Sequence, residues 1–418
     1  MSDLQKVLLC VAVLQVGWEL FLKYLNLKRF EILRKSPPVN IDKLMDKKEW
    51  EETSKYSIAK TNFSVFEDIV SIIFFPIIII YLYPWFFTQW NTDQEQSSVI
   101  CAFLSLIFLM TIQLPSTFFD WWRQFKIEEN FGFNKSSKKL WITDKIKEFF
   151  LSIFLGSLIF WILINLYRYF SQISDFWWVW AFLTFFGIQL ALMVLWPKLI
   201  LPLFNKLSPL EDGSLKDRLE ALSKKAGFLA QEIDVLDGSK RSGHSNAFFT
   251  GFGKFRRIVI FDTLIKQMEE KEIEAVLAHE IGHYKMGHIP KRLITFFCLG
   301  LIGFWLFSQG LNNKILFESL DLPIELVSSF SAITVGFMIF LPYLTYWLSP
   351  LSNYWSRKHE FEADRFAMET IGDHCELTNA LAKMYKKNLS HPLPHPWVSF
   401  FHHSHPSFFE REVAMSEK

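Results

Sequence analysis

The sequence predicts an all-α polytopic membrane protein with seven transmembrane helices and a small α+β segment on the cytoplasmic side. Three observations predict it. Hydrophobic residues make up 50% of 418, including 45 Phe and 16 Trp, and they gather in long runs. Lys and Arg concentrate in some of the connections between those runs and are nearly missing from others. One long polar stretch, 197–290, combines strand-like runs with a helix that carries His-Glu-x-x-His.

The runs are Val7–Leu22, Ile69–Phe87, Val99–Phe118, Phe149–Leu166, Phe176–Trp196, Leu293–Phe307 and Leu326–Leu348. Most reach the roughly 17–25 residues a helix needs to cross a bilayer core; the first and sixth are short and must recruit flanking residues. Trp85, Trp121, Trp122, Trp177, Trp178, Tyr346 and Trp347 crowd the run ends, as an interfacial belt does. The first run has only Lys6 ahead of it, contains Glu19 and lacks a small-residue cleavage site, so it reads as a retained span rather than a signal peptide. Lys23–Lys60 holds ten Lys/Arg and Arg123–Lys147 seven, whereas Thr88–Ser98 and Ser171–Asp175 hold none and Gly310–Glu325 only Lys314. The positive-inside rule then places the N-terminus outside and the C-terminus in the cytoplasm. A net charge of +1 with no basic patch excludes nucleic acid as a partner. Cys10, Cys101 and Cys298 lie in apolar runs and Cys375 in the C-terminal segment, a distribution without a disulfide framework.

These features divide the chain into a membrane region 1–196, a soluble segment 197–290, two spans in 291–350 and a C-terminal segment 351–418. Within the first, Pro37-Pro38 marks a loop. Asn130-Phe131-Gly132-Phe133-Asn134 is either a turn with anchoring phenylalanines or a functional segment. In the soluble segment Ser214–Ala226 is an amphipathic helix with Ser214 as N-cap and Gly227 as its stop. Ile233–Leu236, Ala247–Thr250 and Arg257–Phe261 read as strands, the last two joined through Gly251 and Gly253. The edge of such a sheet can hold an extended peptide by main-chain pairing, or it is a packing hairpin.

Lys271–Tyr284 is a helix containing His279-Glu280-Ile281-Gly282-His283. Histidines at i and i+4 share a helix face and can fill two corners of a zinc tetrahedron. Glu280 flanks the same point and can take a proton from a water activated there, the chemistry of a zinc peptidase. A third protein ligand is required, with a fourth position open. Glu360 is the best candidate, since two spans return the chain to the side of the histidines; His359 and Glu362 compete with it. Asp364 lies at i+4 from Glu360 and can accept an N–H from a ligating imidazole. Met286 and Ile289 stand where the metzincin pattern needs Gly and His, and His288, one residue off that register, is either a supporting contact or a surface residue. Five of the 11 histidines fall in His391–His405, which reads as a solvated tail, an accessory metal site, or a source of a His405 or Arg411 side chain that swings over the metal.

Together, His279–His283, Glu360-Phe361-x-Ala363-Asp364, Ser245-Asn246-Ala247, His405-Pro406-x-x-x-Glu410-Arg411, Pro202-Leu203-Phe204-Asn205-Lys206 and Asn130–Asn134 resemble the type 1 CAAX prenyl proteases, also called a-factor-converting enzymes. The resemblance covers most of the chain. It implies seven spans around a chamber, with a gluzincin-like zinc-peptidase domain at its cytoplasmic end. It implies one Zn2+ per chain held by His279, His283 and Glu360, with Glu280 as general base. Asn246 and Ala247 would pair with substrate, and His405 and Arg411 would lie near the oxyanion. Eukaryotic members cleave the last three residues from prenylated proteins and cut at an upstream site, so the implied partners are a peptide or prenylated protein and membrane lipid, around a monomer. The compact length resembles bacterial members and places the chain in a bacterial inner membrane, or in the ER membrane for a eukaryotic source. Two rivals remain. An intramembrane site-2-type protease would use Leu236-Asp237-Gly238, but that triplet lies in a polar segment, and Lys271, Glu272, Glu274 and Lys285 are too charged for the bilayer core. A non-catalytic membrane quality-control factor would not need the complete ligand set.

Overall fold

In lipid no water satisfies the backbone, so apolar runs become helices. The computed structural model describes residues 1–90, 96–228, 232–250, 257–372 and 374–416. Among them, six helices are long and apolar enough to cross a membrane: Asp3–Lys35, Lys47–Trp90, Lys138–Phe170, Trp177–Phe204, His288–Leu311 and Phe330–Ile371. A seventh span is a pair, Ser98–Ile112 and Leu114–Glu128, bent by 42°. The break falls at Gln113, ahead of Pro115, which cannot donate to the preceding turn. All seven apolar runs thus lie in or largely within these helices. The first and sixth extend into polar sequence, as their short apolar cores require.

Large apolar side chains remain exposed along the spans, among them Val13, Ile73, Phe154, Trp180, Ile302 and Leu341, a surface that suits lipid rather than water. The charge inside the first span is paired. Glu19 Oε2 accepts from the Tyr346 hydroxyl at 2.7 Å and lies 3.0 Å from His402 Nε2, and Lys23 sits 2.6 Å from Asp68. These ties cross from the first helix to the second, to the seventh span and to the C-terminal segment. They satisfy groups that would be costly alone in a membrane.

The soluble segment opens with strand β1 (Leu207–Pro209), followed by β2 (Glu232–Leu236), β3 (Ala247–Thr250) and β4 (Arg257–Phe261). The order is β1-β2-β4-β3, with β2 and β4 parallel and the other pairs antiparallel. β3 therefore lies at the sheet edge, in register Ala247 with Ile260 through Thr250 with Arg257. The link through Gly251 and Gly253 lies outside the described residues. The amphipathic helix runs Ser214–Lys225 as expected, but its N-cap is Gly213 rather than Ser214. Ser214 is the first helical residue, and its hydroxyl bonds the Glu270 carboxylate instead of its own helix end.

Helix Glu270–Lys285 buries Ile273, Val276, Leu277, Ala278 and Ile281 against Leu219, Leu222, Ile258, Ile260 and Ala367. The same core takes in Ala247 and, from the C-terminal segment, Leu377, Leu381, Phe408 and Met415. Sheet edge, metal-motif helix and tail are thus parts of one packed body. The seventh span continues through a 3-10 turn, Tyr346–Leu348, into helix Ser349–Ile371, which carries Glu360.

Candidate metal centre

The two histidines project from one face of Glu270–Lys285, and Glu360 comes from Ser349–Ile371 across the core. Gly282 makes the approach possible. A Cβ at that position would stand 3.0 Å from both the Cα and the carbonyl oxygen of Ala363. The two backbones therefore touch one residue from His283 and three from Glu360.

Two ring nitrogens and both oxygens of one carboxylate converge there. His279 Nε2 and His283 Nε2 are 3.2 Å apart, His279 Nε2 is 3.4 Å from Glu360 Oε2, and His283 Nε2 is 3.3 Å from Glu360 Oε1. A tetrahedral zinc with bonds of about 2.0–2.1 Å has ligand–ligand edges of about 3.3 Å. The spacings of these three side chains suit such an ion. Glu360 is 2% exposed, and its Oε2 receives no hydrogen bond, a cost that a bound cation removes. Two ring nitrogens facing a carboxylate in a buried pocket also form a donor set that suits zinc.

The outer sides of the ligands are held too. His279 Nδ1 donates to Asp364 Oδ1 at 2.8 Å. Asp364 in turn takes a forked pair of bonds from Arg411, Nε to Oδ2 at 2.8 Å and Nη2 to Oδ1 at 2.5 Å. Burial draws the His279 pKa down, but the Asp364 and Glu360 carboxylates more than offset this and raise it to about 9. The pocket favours positive charge on or beside that ring. Burial holds Glu280 above the usual carboxylate range, with the two imidazoles pulling it back.

Peptidase family M48 matches residues 209–418, and the CAAX prenyl protease N-terminal family, five membrane helices, matches residues 27–206. CAAX prenyl protease 1 of Saccharomyces cerevisiae is 34% identical, over 94% of this chain and 92% of its own. The chain belongs to the CAAX prenyl protease 1 group of family M48. The human CAAX prenyl protease 1 homolog is 28% identical over 95% of this chain and 92% of its own. A crystal structure of S. mikatae Ste24p has the same fold, with a TM-score of 0.87, 33% identity and 99% coverage of both chains. The protein is accordingly a multi-pass membrane metallopeptidase.

For this CAAX prenyl protease 1 relative the geometry separates the residues singled out from sequence. His279, His283, Glu360 and Asp364 meet in one cluster, and Glu280 follows His279 on the same helix. Arg411 is buried on Asp364, with Nη2 3.4 Å from His279 Nδ1, on the outer side of that ring, and Nη1 3.9 Å from Glu360 Oε2. The His405 side chain is 65% exposed, with Nε2 3.5 Å from Glu360 Oε1. His359 and Glu362 point away from this cluster. His359 stacks on His288 at 3.9 Å, and Glu362 bonds His288 at 2.9 Å.

Asn246 Oδ1 accepts from its neighbour Ala247 N at 2.9 Å at the head of β3. Sequence reasoning missed what holds that strand. Asn388 Oδ1 accepts from Ser245 N at 3.2 Å and lies 3.3 Å from His244 Nδ1. His244 in turn stacks on Phe133 at 4.0 Å and faces Glu128 at 3.3 Å. Asn130–Asn134 thereby docks the membrane region against the approach to β3, with Gly243 N donating to Phe133 O at 2.9 Å. Only the spacing Phe131-Gly132-Phe133 hinted at this, since Gly132 adopts a φ of +79° that the turn requires.

Asp364→Asn keeps the shape but weakens acceptance from His279 and removes the carboxylate on which the Arg411 fork closes. Metal affinity, read by competition with a chelator, is expected to fall roughly 10–100-fold. Unchanged affinity would mean that His279 does not depend on this carboxylate.

Proposed function

We propose that His279, His283 and Glu360 hold one zinc ion. In this reading the chain hydrolyses peptide bonds near the C-terminus of prenylated CAAX-type proteins or related membrane-associated peptides. The convergence of the three side chains carries the reading: the two Nε2 atoms are 3.2 Å apart, and each faces one Glu360 oxygen, at 3.4 and 3.3 Å. Bound there, zinc supplies Lewis acidity toward a scissile carbonyl and eases deprotonation of water.

The chain's own residues do the rest. Glu280 accepts the proton of the attacking water and delivers it to the departing amine. The outer edge of β3, at the margin of the sheet among the described residues, offers N–H and C=O groups to an extended peptide beside the helix. Asn246 fixes the start of that edge through its bond to Ala247 N. His405, on the open side of Glu360, supplies an N–H to the developing oxyanion. Arg411 works through Asp364 by holding His279 in the tautomer that leaves Nε2 free. The relatives named CAAX prenyl protease 1 support the substrate class. The Lys/Arg-rich connections support an active site facing the cytoplasm, and a single chain supplies every group named.

The test uses the purified, detergent-solubilised protein and a farnesylated CAAX peptide. Elemental analysis is expected to give about one zinc per chain. Chelation is expected to abolish cleavage and added zinc to restore it. Cleavage by chelated protein shown to be metal-free would overturn the reading.

A further inference from the structure

We propose that Glu362 and His288 form a two-link relay that fixes the tautomer of His283 and so its grip on the metal, an inference that rests on the metal reading above. To ligate through Nε2, His283 must carry its proton on Nδ1. That Nδ1 faces His288 Nδ1 at 2.9 Å. His288 Nδ1 must then be the acceptor, and the His288 proton lies on Nε2, which donates to Glu362 Oε2 at 2.9 Å. The alternative tautomer of His288 sets two N–H groups against each other or drives the His283 proton onto Nε2, where it blocks the metal.

The arrangement parallels the other ligand. His279 reaches its carboxylate directly, and His283 reaches one through an intervening ring. Gly287, at φ +68°, turns the chain so that His288 folds back onto His283. His288 is 2% exposed and lies flat on His359, with 12° between the rings.

His288, His359 and Glu362 also bring ligand atoms within 4.8 Å of one another, and the His359 Nδ1 is buried without a hydrogen-bond partner. Alone, this trio resembles a second metal site. Counting lone pairs removes it: once His283 holds a metal, His288 Nδ1 accepts a hydrogen bond and Nε2 carries a proton, so neither nitrogen can ligate. Two nearly parallel rings also direct their lone pairs along separate planes. The trio orients the first site and does not form another.

The experiment measures zinc affinity and stoichiometry of the full-length protein in detergent, by competition with a chromophoric chelator. His288→Phe keeps the ring stack and is expected to weaken zinc roughly 10–100-fold. His288→Asn places an acceptor oxygen near the lost Nδ1 and is expected to retain most of the affinity. A packing role alone predicts the reverse order. Glu362→Ala is expected to weaken zinc more than Glu362→Gln, whose oxygen still accepts, and this pair decides the matter if His288→Phe does not fold. His288→Phe that binds as tightly as wild type would overturn the relay, as would His288→Asn that binds as weakly as His288→Phe. Two zinc ions per wild-type chain, one of them lost in His359→Phe, would overturn it in favour of a second site. Wild-type protein that takes up no zinc would instead remove the underlying metal reading.

Discussion

Glu280→Gln in zinc-loaded protein is expected to lower kcat by roughly two to four orders of magnitude, with bound zinc unchanged. The side chain is half-buried and follows His279 on the helix that carries both proposed histidine ligands, and the isosteric amide keeps its shape. It removes only the capacity to take a proton. Two to four decades in rate correspond to about 3–5 kcal/mol of barrier, the contribution expected of a positioned base rather than of lost binding. KM for a farnesylated peptide should change little, because the proposed pairing along the β3 edge is untouched. Glu280→Asp separates position from chemistry. It keeps a carboxylate but withdraws it by one methylene, and a misplacement of about 1 Å costs on the order of 100-fold. Turnover at the wild-type rate by Glu280→Gln with verified zinc would remove Glu280 from the reaction.

How much of this was legible in the sequence differs by element. Strands Ala247–Thr250 and Arg257–Phe261 have the bounds that their apolar content and flanking residues predict. Helix Lys271–Tyr284 is extended by one residue at each end. The apolar runs show where the spans are, because lipid leaves the backbone no other solution. Helix continuity was harder to read. Pro350 looks like a break between the seventh span and the helix of Glu360, but it falls in the first turn of Ser349–Ile371, where a missing N–H costs nothing. The π turns at Ile78–Leu82 and Trp196–Ile200 likewise absorb Pro84 and Pro197 without ending the helices. The division of labour among His359, Glu360 and Glu362 depends on which helix face meets which neighbour. Periodicity pairs Glu360 with Asp364 and His359 with Glu362. Only the crossing at Gly282 shows that the first pair faces His279 while the second faces His288. Asn388 had no signal, since a lone Asn after a helix reads as a cap.

That crossing sets the second large effect. Gly282→Val is expected to abolish zinc binding, and with it activity, although the side chain would touch neither ligand nor substrate. The new Cβ would meet the Ala363 Cα and carbonyl oxygen at 3.0 Å and Phe366 Cδ1 at 3.2 Å. Phe366 can swing aside, but the Ala363 backbone cannot, because Ala363 and Ala367 are fully buried on a helix packed into the core. The helices must separate, and Glu360, three residues from the contact, moves with its helix. Candidate ligands spaced 3.2–3.4 Å apart do not tolerate an added gap of about 1 Å, given bonds of about 2.0–2.1 Å. Gly282→Ala tests the same geometry more gently. Helix propensity favours Ala by about 1 kcal/mol, but overpacking a rigid contact costs about 1–3 kcal/mol, so the clash prevails. Zinc affinity is expected to fall from Gly to Ala to Val, measured beside the unfolding temperature of the metal-free protein. Metal loss that exceeds the loss of stability would locate the effect at the helix crossing, and a Val variant that held zinc as tightly as wild type would show that the two helices do not fix the ligand spacing.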